Sequence, residues 1–428
     1  MKQNTENRNF FRAAFSSVIT SKDFRFAWFS NVFFFSGLWT QTLVLGWIAF
    51  EMTGSEFLVA LFTAARLAPM ILGPIAGAFA DRLNKVHLLM AACGWAAVAI
   101  SVVAVLAGTG MLEYWGLVVA GLAIGMAQSP SQPARGALVA ELVPARELSN
   151  ANALNALALN MTQVVGPGIG GIMIATLGAP AALWVSTSWY VLSLLMLLPL
   201  RKHQNLSSGQ EHGSMLRLMV EGLKLVGRNR LAVGVLLVTF SANALLWPVY
   251  QSFMPIFAEQ RLHLDAAGLG ALLMAAGIGG LLGSIAIASL GDFKFKGALF
   301  VYGTMVWAAL WAVFAFLTNV PAAFIILCLV GFSSAAFGVL QTTLLLIVTP
   351  PELHGRVMGI QELAIGIMPI ATLLLGLAAE SIGVALTTFI AAVLLILVLG
   401  LLVMLIPAVT KIGRETSGEL VETKIVSP

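Results

Sequence analysis

The chain is 428 residues long, 59% hydrophobic and 10% charged, with a mean hydropathy of +0.94. Soluble domains carry roughly 25% charged residues, so this composition excludes an ordinary soluble protein and calls for a polytopic membrane protein. A net charge of +4 and a pI near 9.2 would suit nucleic-acid binding if the basic residues clustered, but they sort by side of the membrane and leave no patch for nucleic acid.

A span needs about 20 apolar residues, and twelve such runs remain once a charged start, a charged end and one charged middle stretch are set aside. The expected fold is all-α, with twelve transmembrane helices in two six-helix pseudo-repeats. The expected divisions are a cytoplasmic N-terminal arm (1–25), a first half (26–200), a linker with an interfacial helix (201–230), a second half (231–408) and a cytoplasmic tail (409–428). The first run is longer than a signal-peptide core and no small-residue cleavage site follows it, so it reads as an uncleaved span.

The arm carries Lys2, Arg8, Arg12, Lys22 and Arg25 with Phe11, Phe15 and Val18 between them, a pattern for a segment lying along the membrane surface. Span one, about Phe26 to Phe50, holds Asn31, Ser36, Thr40 and Gln41. Span two, about Phe57 to Ala80, holds Arg66, which at 1.5 Å per residue lies roughly 13 Å deep, near mid-bilayer. Its end, Gly73 to Lys85, has small residues at 73, 76, 77, 78 and 80, followed by Asp81-Arg82 at the water boundary. This stretch resembles the loop signature of the major facilitator superfamily of transporters, carried here by Gly77, Asp81, Arg82 and Lys85. The resemblance implies a gate, in which Asp81 accepts from the N-terminus of span eleven or pairs with Arg135. A solvated loop charge pair is the plain alternative. Trp39, Gln41, Gly46-Trp47 and Thr53-Gly54-Ser55 resemble the first helix of an exporter branch of that superfamily that includes the enterobactin exporters.

Span three (about Val86 to Leu106) is nearly all apolar. Span four (about Tyr114 to Pro133) ends in Gln128-Ser-Pro-Ser-Gln132-Pro-Ala-Arg135, whose prolines are expected to break the helix. Span five, about Asn152 to Ala175, contains Gly166, Pro167, Gly170 and Gly171 in an order that resembles the Gly-Pro-x-x-Gly-Gly motif of the superfamily's antiporter branches. These glycines are expected to pack on those of span eight. Span six ends near Pro199. In the linker, Met215, Leu218, Met219, Gly222, Leu223 and Val226 share a helical face opposite Arg217, Glu221, Lys224 and Arg228.

Span seven (about Leu231 to Ala258) carries Ser241, Asn243, Tyr250 and Gln251, and span eight (about Leu269 to Leu290) carries Gly277, Gly279, Gly280 and Gly283. The second half echoes the first: Asp292 follows Asp81 by 211 positions, Glu352 follows Glu147 by 205 and Gln341 follows Gln128 by 213, as in a diverged duplication. Span ten holds Ser333, Ser334, Gln341, Thr342 and Thr343; span eleven begins after Arg356 and holds Gln361 and Glu362; span twelve runs from about Val384 to Ile406. Polar groups recur in spans one, four, seven and ten, as a central aqueous cavity requires. The expected substrate and ion pathway is Asn31, Gln41, Arg66, Gln128, Asn243, Gln251, Gln341 and Glu362.

These features imply a secondary active exporter of small amphipathic molecules (drug, siderophore or metabolite) working by alternating access as a monomer in the inner membrane, with protons as the coupling ion. Span one lacks the carboxylate that many cation-drug antiporters place there, which leaves the coupling ion open. An uptake transporter or a lysophospholipid flippase of the same fold is the alternative, and a membrane enzyme or receptor the third reading. The sequence has no His-Glu-x-x-His, no Gly-x-Ser-x-Gly and no phosphate-cradling Gly-Lys-Ser/Thr loop. Cys93 and Cys328 fall in different spans, so no disulfide, metal or cofactor is expected.

Overall fold

The computed structural model describes residues 16–73, 83–144, 147–202, 227, 229–350 and 353–413. Gly77, Asp81, Arg82, the linker's apolar face and most of both terminal segments lie outside them.

The described residues form a series of long helices: α1 (Lys22–Thr53), α2 (Glu56–Leu67), α3 (Lys85–Gly108), α4 (Tyr114–Leu142), α5 (Leu148–Leu177), α6 (Ala179–Leu197), α7 (Arg230–Arg261), α8 (Ala266–Ser289), α9 (Lys296–Phe314), α10 (Val320–Val348), α11 (His354–Ile382) and α12 (Val384–Leu405). Ten of them are long and apolar enough to cross a membrane, two fewer than the twelve spans expected. The exceptions have local causes. The described part of α2 is short and passes into a 3-10 turn, Ala68–Leu72, and α4 is diluted by its polar stretch from Gln128 to Arg135.

Local chemistry sets the helix ends. The side chain of Ser21 accepts from Phe24 N and starts α1, with Asp23 in the first turn to complement the helix dipole. Gly54 ends α1 at φ +60°, a left-handed conformation that glycine adopts without a Cβ penalty. Ser55 then caps α2 by accepting from Leu58 N. Thr53-Gly54-Ser55 is therefore a complete stop and start in three residues.

The expected break at the prolines of span four does not occur. Pro130 and Pro133 lie inside α4, which continues to Leu142. Proline removes an N–H from the helix ladder, but membrane helices packed against neighbours tolerate this. Here the helix is tied to the segment after α2 by Ser129, whose Oγ donates to the Pro69 carbonyl at 3.1 Å. The extra turns bring Arg135 and Glu141 into the helix.

The chain divides into two compact units, Met1–Glu211 with His263–Met274, and His212–Leu262 with Ala275–Pro428. In the first, α1 packs against α5 and α6, α3 against α6 and α4, and α4 against α2. The α2–α4 crossing depends on small residues, since a Cβ at Gly121 would lie 2.9 Å from the Phe62 ring and one at Gly125 would collide with the Arg66 carbonyl. In the second unit α9 packs on α10 and α12, and α7 packs on α10, α11 and α12. Gly279 and Gly283 of α8 let that helix meet the α10 backbone at Cys328 and Phe332.

Candidate functional site

The densest polar structure in the first unit is built around Arg135, which is 2% exposed. Its Nη1 donates to Asn31 Oδ1 at 2.7 Å and to Ser30 Oγ at 3.3 Å, and its Nη2 donates to Cys93 Sγ at 3.3 Å. The guanidinium carbon sits 3.9 Å from the centre of the Phe34 ring, a cation–π contact. Asn31 Nδ2 donates to Asn155 Oδ1 at 2.7 Å, and Ser193 Oγ donates to the Ser30 carbonyl at 2.9 Å. Side chains from α1, α3, α4, α5 and α6 thus meet at one buried cation. Asn31 and Arg135 belong to one network, although the sequence assigned the first to the pathway and the second to the gate. The expected pairing of Arg135 with Asp81 lies outside the described residues.

Where the start of α3 meets the end of α4, Lys85 Nζ bonds Glu141 Oε1 at 2.5 Å, with the side chains 9% and 19% exposed. Beside this pair, Ser17 Oγ donates to Asn150 Oδ1 at 2.9 Å and Ser21 Oγ to the Leu142 carbonyl at 3.1 Å, so the entry to α1 is fastened to the α4–α5 turn.

Arg66 is 4% exposed, and its Nη1 donates to Thr42 Oγ1 at 3.1 Å. Thr42 in turn donates to the Leu38 carbonyl at 2.7 Å. The sequence leaves Arg66 as the one cation deep in the first half, but Arg135 is buried as fully. Tyr190 of α6, fully buried, stacks edge-on against Phe34 with ring centres 5.4 Å apart. Gly37 makes room for it, since a Cβ there would lie 2.9 Å from the Tyr190 ring. The Tyr190 hydroxyl and Gln128 Nε2 are both buried within the bundle. Gln41 is fully buried, and neither of its amide atoms has a hydrogen-bond partner among the described residues. It is enclosed by the helices around it, where the sequence places it on an open pathway.

The glycines of α5 divide between two faces. Gly166 and Gly170 face α1: a Cβ at Gly166 would lie 2.7 Å from Trp39 Cβ, and Thr40 Oγ1 donates to the Gly166 carbonyl at 3.0 Å. Gly171, with the Pro167 carbonyl, faces the start of α8, which belongs to the same unit. A Cβ at Gly171 would lie 2.5 Å from the Ala266 carbonyl and 2.9 Å from Gly270 Cα, and one at Gly270 would lie 2.7 Å from the Pro167 carbonyl. Two backbones meet there with no side chain between them.

In the second unit Asn243 is 3% exposed and donates to the Thr239 carbonyl at 2.8 Å, which ties it to its own helix. Gln251 and Gln341 are partly buried. Gln361 of α11 is 3% exposed, and its Nε2 donates to Thr342 Oγ1 of α10 at 3.0 Å. Glu362, next to it, is exposed. His354 places Nε2 within 3.2 Å of the Leu346 carbonyl and 3.1 Å of the Thr349 carbonyl at the end of α10. On the loop after α8, Asp292 bonds Lys296, which holds its carboxylate below the usual range.

Comparison with known proteins places this architecture. The multidrug efflux pump Tap of Mycolicibacterium fortuitum is 27% identical over 373 residues, 84% of this chain and 90% of that protein. The enterobactin exporter EntS of Shigella boydii serotype 4 is 26% identical over 318 residues, 72% of this chain and 73% of that protein. Among solved structures, a POT family transporter in complex with 5-aminolevulinic acid superposes with a TM-score of 0.74 at 12% identity, covering 91% of this chain and 97% of that one. A bacterial homologue of the human lysosomal transporter Spinster, inward-facing and unoccupied, gives 0.67 at 14% identity over 93% and 98%. The family model described as transmembrane secretion effector matches residues 13–425. The chain therefore belongs to the transmembrane secretion effector family, within the major facilitator superfamily of membrane transporters.

Proposed function

We propose that the protein is a secondary active exporter of small amphipathic molecules, working by alternating access in exchange for protons. The observation that carries this reading is the backbone-to-backbone approach of Gly171 and Gly270, at a motif that resembles the one marking the superfamily's antiporter branches. It is supported by relatives named as an efflux pump and as an exporter, which align over most of the chain. Tight backbone packing of this kind would seal the pathway against leaks. The cargo is neutral or anionic, because Arg135 is a buried cation whose described hydrogen-bond acceptors are neutral groups, and a low-dielectric wall of that sign repels permanent cations. Asp81 and Arg135 gate the cytoplasmic side. The protein works as a monomer in the cell membrane with both termini in the cytoplasm, since all but three of its 23 Lys and Arg residues, the buried Arg66 and Arg135 and the outer Arg261, then fall on the cytoplasmic side. The test is untargeted comparison of metabolites released by cells with and without the protein, together with their tolerance of amphipathic drugs. Lower release and lower tolerance on deletion support export, and higher intracellular uptake in the expressing cells contradicts it.

A further inference from the structure

Proton antiport needs a titratable group inside the membrane, and one described carboxylate meets that need. The other described carboxylates of the membrane helices stand in first or last turns: Asp23 and Glu51 in α1, Glu56 in α2, Glu141 in α4, Glu259 in α7 and Glu380 in α11. Glu362 instead lies in the third turn of the 29-residue span His354–Ile382, roughly 12 Å along the helix axis from its start. An intramembrane carboxylate is costly unless it faces water or a partner, and such residues mark ion pathways.

The surroundings of Glu362 fit a titrating group rather than a structural one. It is exposed, while Gln361 beside it is buried and bonded to Thr342. The helix turns at Gly366 and Ile367, so Glu362 stands on the segment His354–Ile365, apart from the exposed apolar residues Ile370, Leu374 and Leu377 of the segment Met368–Ile382. The helices packed on α11 are α7, α10 and α12. Their titratable groups are Arg230, Glu259 and Arg261 at the two ends of α7, Tyr250 of α7 and Cys328 of α10, while α11 itself adds His354, Arg356 and Glu380. None of the strongly charged ones sits at the depth of Glu362.

We propose that Glu362 is the proton carrier of the transport cycle, an inference that rests on the antiport reading above. Its carboxylate takes one proton from water on the outer side, forming the neutral acid, and gives that proton to water on the cytoplasmic side, so one proton moves inward per cycle. A single site limits the gradient of a neutral cargo to about tenfold per pH unit across the bilayer.

The experiment uses the full-length protein in liposomes with a trapped pH-sensitive dye, and ethidium, fluorescein and enterobactin as probes. The wild type should move protons against a carried probe, and Glu362→Gln should lose that flux and the pH-driven accumulation while labelled probe still exchanges for unlabelled. Gradient-driven accumulation that survives Glu362→Gln overturns the proposal. So does loss of exchange in a folded Glu362→Gln protein, which would assign the residue to cargo binding. Should the Gln variant not reach the membrane, Glu362→Asp decides: a displaced midpoint in the pH–rate profile supports the proposal and an unchanged profile contradicts it. Wild-type probe transport without proton movement contradicts the proton carrier but leaves export standing, whereas absence of transport of every probe contradicts the export reading itself.

Discussion

The guanidinium of Arg135 is buried against a neutral amide, a hydroxyl, a thiol and an aromatic face. Each of those groups is weak alone, so the cation depends on all of them together. Replacing Asn31 with Ala removes the shortest of these bonds and leaves a buried donor open, which should cost about 1–3 kcal/mol. The check is resistance to unfolding in an SDS titration, where an unchanged midpoint would contradict this account of the network. Arg66 is expected to act on cargo charge. Arg66→Gln should weaken export of an anion such as enterobactin and improve tolerance of a cation such as ethidium. Preferential export of ethidium by the wild type, unaffected by the substitution, would remove the charge-selection reading. The depth of Arg66 was legible from its position in an apolar run. The burial of Arg135 was not, because its ligands Asn31 and Cys93 come from helices distant in sequence and join only when the bundle packs.

Among elements, α5 was legible in kind but not in partner: its glycines do admit close approach of another backbone, but Gly166 and Gly170 meet α1, Gly171 meets Gly270, and Gly279 and Gly283 of α8, expected to pack on α5, meet α10 instead. What sequence spacing does not decide is which glycine meets which helix. The structure assigns the tighter contact to Gly171 and the looser one to Gly170, where a Cβ would lie 3.4 Å from Thr40. Gly171→Ala should therefore impair export, with a packing penalty of about 1–3 kcal/mol, and Gly170→Ala should be milder. Equal export rates in the two variants would contradict that assignment. The end of α4 is the opposite case. Pro130 and Pro133 would stop a helix in water, but inside the packed bundle the helix continues past them, and only then can Glu141 reach Lys85. Lys85→Met should strand the Glu141 carboxylate and destabilise by about 3 kcal/mol, while adding Glu141→Leu should restore most of the loss. A double variant no more stable than the single one would show the pair to be incidental. The offset of 211 positions that relates Asp81 to Asp292 also carries Lys85 to Lys296. In the second unit that lysine bonds Asp292.

At the scale of the whole molecule, composition alone identifies a polytopic helical membrane protein, because a chain this apolar has no soluble solution. The exact number of spans is harder to read, since it turns on segments such as α4 whose polar groups serve the interior and lower the apparent hydropathy. The distribution of basic residues predicts both termini on the cytoplasmic side. A C-terminal reporter that is active only after export should stay silent, and activity would overturn the orientation. Export itself is tested most directly by membrane vesicles of known sidedness under an imposed pH gradient. In inside-out vesicles acidified within, an amphipathic anion such as enterobactin should accumulate, and collapse of the gradient should abolish the accumulation. Accumulation confined to right-side-out vesicles would contradict the account.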